Sequence, residues 1–190
     1  MKCMPSKVLA SFLLALTHLH IHAQSVGDIF GAVNYTKATS KDESSRNLGT
    51  YKPNAVGVGL SYVIFKNLAV EGNVFTGAGN SSNALSATSS MTLQIKNGYG
   101  FSLRPFLAFN DVWGGFVKLG RQYGKQDSVV NRSTVQSTTS ASYAHTVYGI
   151  GLSYNINRKW AITSDYTSTV NVASEMTKTS ALGFGLRYKF

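Results

Sequence analysis

Apolar and polar residues alternate one by one through much of this chain. Successive side chains of a strand point to opposite sides, so period two predicts strands. Residues 182–190 are the clearest case: Leu182, Phe184, Leu186, Tyr188 and Phe190 share one face, and Gly183, Gly185, Arg187 and Lys189 the other. Seven further segments carry the same alternation: 26–37, 55–65, 68–76, 91–109, 112–124, 142–155 and 160–168. In the second, Val56, Val58, Leu60, Tyr62 and Ile64 oppose Ala55, Gly57, Gly59 and Ser61. In the fourth, Met91, Leu93, Ile95, Tyr99, Phe101 and Leu103 oppose Thr92, Gln94, Lys96, Ser102 and Arg104. One parity holds Val, Leu, Ile and aromatics; the other holds Gly and ionisable groups.

Short and long connections alternate. Lys66-Asn67, Asn110-Asp111 and Asn157-Arg158-Lys159 are turn signals, whereas 38–54, 77–90, 125–141 and 169–178 are Ser-, Thr-, Asn- or Gly-rich and predict solvated loops. A soluble barrel would put its apolar side inward. Large apolar side chains opposed by glycine and charge fit lipid outside and a small polar interior. The pattern therefore predicts an all-β, eight-stranded antiparallel transmembrane β-barrel of the outer-membrane type, with turns on the periplasmic side and loops outside. Phe65, Phe109, Trp113, Tyr154, Trp160, Tyr188 and Phe190 lie near the turn ends, where an interfacial aromatic girdle belongs. Pro105 would cost its strand a ladder hydrogen bond, so a bulge is expected there.

Composition changes this picture only at the amino terminus. Lys2 and Lys7 precede an apolar run over 8–19 and a small-residue site at Ile21-His22-Ala23, which reads as a Sec signal peptide, 1–23, cleaved to leave a single barrel domain over 24–190. Cys3 and the tract His18, His20, His22 fall within that segment, so no thiolate or metal chemistry is expected of the mature domain. The formal charge of +10 admits nucleic-acid binding in principle. The cations are scattered singly, however, and an exported protein does not meet nucleic acid.

With the strands placed, a family resemblance emerges. Tyr99-Gly100 leading to Pro105, then Phe109-Asn110-Asp111-Val112-Trp113, Lys118-Leu119-Gly120 and Tyr123-Gly124-Lys125 resembles the fourth and fifth strands of the Ail/Lom/OmpX family. Tyr148-Gly149-Ile150-Gly151-Leu152 and the closing Leu186-Arg187-Tyr188-Lys189-Phe190 are similar to that family's last strands. The tail Leu182, Phe184, Leu186, Tyr188, Phe190 also resembles the terminal signal read by the outer-membrane barrel assembly machinery. The resemblance implies adhesion or resistance to host defence, exercised through loops and protruding strands. It implies outer-membrane lipid, lipopolysaccharide and host or surface macromolecules as partners. A structural barrel without a dedicated ligand, and a narrow porin-like channel, remain alternatives.

The interior of an eight-stranded barrel is filled by side chains. On this parity the lumen carries Glu71 and Asp165 against Lys96, Arg104, Lys118 and Arg187, so that Glu71 can face Arg104 and Asp165 can face Arg187. Such a network predicts a plugged lumen. No enzyme is expected, and no cofactor. His145 is followed two residues later by Val147, not by the Ser of the lipid A deacylase dyad, and residues 24–26 leave no room for the amphipathic helix of the palmitoyl transferase. Segment 91–109 exceeds the 9–11 residues a spanning strand needs, so 91–96 should project as an edge open to strand addition.

Overall fold

The computed structural model describes residues 24–42, 49–86, 88–132, 135–171 and 177–190; the expected signal peptide lies outside the described residues. Ten strands follow one another: β1 (Ile29–Asp42), β2 (Thr50–Tyr51), β3 (Asn54–Phe65), β4 (Leu68–Gly79), β5 (Ser81–Ser86), β6 (Ser89–Ala108), β7 (Trp113–Arg132), β8 (Val135–Asn155), β9 (Trp160–Asn171) and β10 (Thr177–Lys189). Eight of them form an antiparallel ring, β1-β3-β4-β6-β7-β8-β9-β10, closed by β10 against β1 from Phe30↔Lys189 to Asp42↔Thr177. The other two are additions at one end: β2 pairs with β1, and β5 with β6.

The three short turns show why these residues reverse the chain. Asn67 takes a left-handed φ of 68°, which Asn tolerates better than most residues. Asn110 Oδ1 accepts from the amides of Val112 and Trp113 at 2.9 and 2.7 Å, and Asn157 Oδ1 from those of Lys159 and Trp160 at 2.8 and 2.9 Å. In the latter two, an asparagine side chain stands in for a backbone turn.

Alternation sorts the two faces. Val58, Leu60 and Ile150 point outward and are 54%, 62% and 66% exposed. Bare apolar surface on this scale needs lipid to cover it. The inner face buries Phe30, Val63, Ala69, Phe106 and Phe116, all close to the short-turn end, as one apolar cluster. Aromatic pairs ring that end outside: Trp113 with Tyr154 at 4.9 Å and Trp160 with Tyr188 at 4.8 Å between centroids. Gly151 has no side chain for a reason of space, since a Cβ there would run into the Phe116 ring.

Besides β2 and β5, which lie within the expected loops 38–54 and 77–90, three features differ from the sequence expectation. The stretch 125–141 is not a loop: β7 and β8 stay paired from Trp113↔Tyr154 to Arg132↔Val135. Both faces of that hairpin meet water above the membrane, so no apolar alternation marks it. Pro105 causes no bulge either. The β6–β7 ladder has no pair at Arg104 and Pro105 and resumes in the same register at Phe106↔Phe116. The bulge of β6 lies at Lys96, between Ile95↔Gln126 and Asn97↔Lys125. One extra residue exchanges the two faces beyond it, so Leu93 and Ile95 border the lumen rather than lipid.

Candidate functional site

Inward parity on five ring strands brings a layer of charge together above the apolar cluster. Arg104 Nη1 on β6 donates to Glu71 Oε1 on β4 at 2.9 Å, and its guanidinium lies 3.7 Å from the centre of the Phe116 ring. Lys118 Nζ on β7 stands 3.9 Å from Glu71 Oε2 and 3.7 Å from Asp165 Oδ2. It reaches β9 across β8, where Gly149 lies opposite Lys118 and Gly151 opposite Asp165. Two glycines leave that path clear.

Arg187 does not meet Asp165. On β9, Asp165 lies opposite Gly183 and Ala161 opposite Arg187, which sets the two backbone positions four residues apart, about 13 Å at the rise of a strand. Arg187 Nη2 donates instead to Ser61 Oγ at 2.8 Å and covers the Phe30 ring at 4.4 Å. Lys96 also departs from the expected lumen set. Its side chain is 46% exposed and pairs with Asp127 at 3.2 Å. The Ser140 hydroxyl donates to Asp127 at 2.7 Å and, together with Lys96, holds that carboxyl below the usual range. Burial opposes the shift without cancelling it. Near the short-turn end, Lys189 pairs with Asp28 at 2.6 Å.

Within the ring is a cavity of about 210 Å³, bordered by Asn34, Asn73, Phe75, Gln122, His145 and Thr167. His145 stacks on Tyr143 with centroids 4.7 Å apart. Among the described residues, no group of three or more His, Cys, Asp or Glu side chains could hold a metal ion.

Beyond the cavity, β6, β7 and β8 continue as a sheet. Segment 91–96 is not a free edge, because β5 pairs with it at Ser82↔Thr92 while β7 holds its other side at Thr92↔Val129. Sequence reasoning missed β5, whose Ser- and Asn-rich stretch carries no apolar alternation. The edge lies on β8 instead. Its pairing with β9 ends at His145↔Asn171, and among the described residues nothing pairs with 135–144 on the side away from β7. On β10, Leu182, Phe184 and Leu186 face outward, and Tyr188 meets the ring of Phe190 edge-on at 5.4 Å between centroids.

A closed ring with bare apolar flanks, an aromatic girdle at the short-turn end and charge inside is a transmembrane β-barrel. The chain belongs to the outer membrane protein β-barrel domain family, whose model matches residues 9–190. Solved structures agree on the fold. Ail, the attachment invasion locus protein of Yersinia pestis, superposes with a TM-score of 0.60 at 17% identity, covering 87% of this chain and 100% of Ail. Neisserial surface protein A gives 0.58 at 13% identity, over 85% of this chain and 97% of that one. OprG of Pseudomonas aeruginosa gives 0.55 at 13% identity, over 90% and 99%. No curated protein matches the chain. All three structures are small outer-membrane barrels, and this family places the chain in the bacterial outer membrane.

Proposed function

We propose that this protein acts at the cell surface, in adhesion or another surface interaction such as resistance to host defence, through the outer halves of β6, β7 and β8. One observation carries the reading. These strands run 20, 20 and 21 residues, against 12 for β3, β4 and β9. About 9–11 residues cross the membrane, so about ten of each remain, roughly 30 Å at the rise of a strand. A sheet of that height is not needed for anchoring. Its edge over 135–144 is uncharged and lacks proline, the features that usually block strand addition. An extended peptide of a host or surface macromolecule is the partner such an edge suits. The names of two fold relatives, an attachment protein and a surface protein, point the same way.

In this reading the lumen is plugged and the barrel is neither channel nor enzyme. The apolar cluster and the charge layer above it support that, and conductance of the purified protein in a planar bilayer would overturn it. Lipid and lipopolysaccharide surround the outward apolar band. The protein arrives by Sec export, and its tail is read by the assembly machinery. The decisive experiment removes residues 128–139 and rejoins β7 to β8 by an Asn-Gly turn. Cells carrying the shortened barrel should keep the heat-modifiable folded form and lose binding to host cells or matrix. Undiminished binding at equal folded yield would refute the hairpin's role.

A further inference from the structure

We propose that the lumen holds one small oxyanion, a carboxylate or a phosphate, between Arg104 and Arg187. Both residues are almost wholly buried, 3% and 4% exposed. Each guanidinium carries five N–H donors and no acceptor. Arg104 makes one side-chain hydrogen bond, to Glu71, and its buried Nε has no partner. Arg187 makes one, to the neutral Ser61, and no carboxylate among the described residues lies within 4.0 Å of it. A buried donor left unpaired, as Arg104 Nε is, costs about 1–3 kcal/mol, and more when charged.

The fold brings the two guanidinium groups to a common region of the lumen. Each guanidinium is held by its face, Arg104 on Phe116 and Arg187 on Phe30, which leaves the in-plane edge with its N–H groups free. Ser61 and Glu71, which take one bond from each arginine, are register partners on β3 and β4. Their side chains stand about 5 Å apart at Cβ, so the two arginine heads converge there. Both arginines border the 210 Å³ cavity. That cavity runs on to Leu93 and Gln126, and at about 30 Å³ per water its whole volume is greater than that of a phosphate or an acetate.

Charge counting gives the sign and size of the ligand. Arg104, Arg187 and Lys118 face Glu71 and Asp165, so the layer is left with one positive charge. Asp28 and Lys189 neutralise each other elsewhere. A single negative charge balances the layer. The planar fork of a guanidinium matches two oxygens of a carboxylate or phosphate, which a spherical halide does not offer.

The test uses the full barrel refolded in detergent with arginine ¹⁵N-labelled side chains. Inorganic phosphate is titrated against sodium chloride at equal ionic strength and constant pH. The Nε–H signals of Arg104 and Arg187 should shift together and saturate with phosphate, with chloride weaker by about tenfold or more. Arg187→Gln, checked by its heat-modifiable migration, should weaken the response at Arg104 by a similar factor. Should that variant fail to fold, the wild-type titration decides alone. Equal responses to chloride, or no saturation by about 50 mM phosphate, well above a millimolar Kd, would overturn the site.

Discussion

Among the described residues Glu71 has two cationic neighbours within 4.0 Å and Asp165 one, and that difference sets what each carboxylate contributes. Removing Glu71 strands Arg104, whose side chain is 4% exposed, whereas removing Asp165 leaves Lys118, 26% exposed, still beside Glu71. Glu71→Ala should therefore lower stability by about 3 kcal/mol, the low end for a broken buried pair. Asp165→Ala should cost about 1 kcal/mol or less, as for a solvated pair. Changing Glu71 and Arg104 together to Leu and Met should recover most of the first loss, because no orphan charge remains. Urea unfolding of the refolded barrel, followed by the fluorescence of Trp113 and Trp160, measures all three. Equal costs for Glu71→Ala and Asp165→Ala would show that Lys118 depends on Asp165 instead.

At the scale of elements, the bulge at Lys96 makes the sharpest distinction. Simple alternation puts Leu93 outside and Lys96 inside; the extra residue reverses both, leaving Leu93 8% exposed and Lys96 paired with Asp127. Single cysteines at the two positions separate the alternatives, since the sequence has no other cysteine after Cys3. With an impermeant maleimide on intact cells, Lys96→Cys should label rapidly and Leu93→Cys at least about tenfold more slowly, protected by its burial. The opposite order would restore an unbroken strand. The same contrast explains what the sequence conveyed. All eight ring strands were legible because each holds lipid on one side and a small polar interior on the other, a two-fold sorting written into every second residue. Parity put Glu71 and Arg104 inside on neighbouring strands, where the register leaves them two residues apart. Asp165 and Arg187 could not be separated, because that required the register between β9 and β10. The outer hairpin 125–141, β2 and β5 were hidden because water bathes both faces and leaves serine and threonine free to recur without period.

For the whole molecule, the seam between β1 and β10 is where the ring becomes a ring. Beyond the strand pairs, the Phe190 amide donates to the Ile29 carbonyl at 3.1 Å, and the Phe190 ring lies over Gly31. If Phe190 is also the residue read during assembly, deleting it should cut the folded, heat-modifiable yield in cells severalfold. Refolding of the purified chain into detergent should change little, and Ser86→Ala should leave both unaltered. Equal losses in cells and in detergent would assign Phe190 to the seam alone. The seam has a further consequence, in time rather than in space. The opening strand is hydrogen-bonded to the closing one, some 150 residues later. No partial chain can satisfy it. Until the final strand is delivered, any growing sheet ends in two raw edges, each a template for a wrong neighbour. Closure is therefore the last pairing that the chain can make.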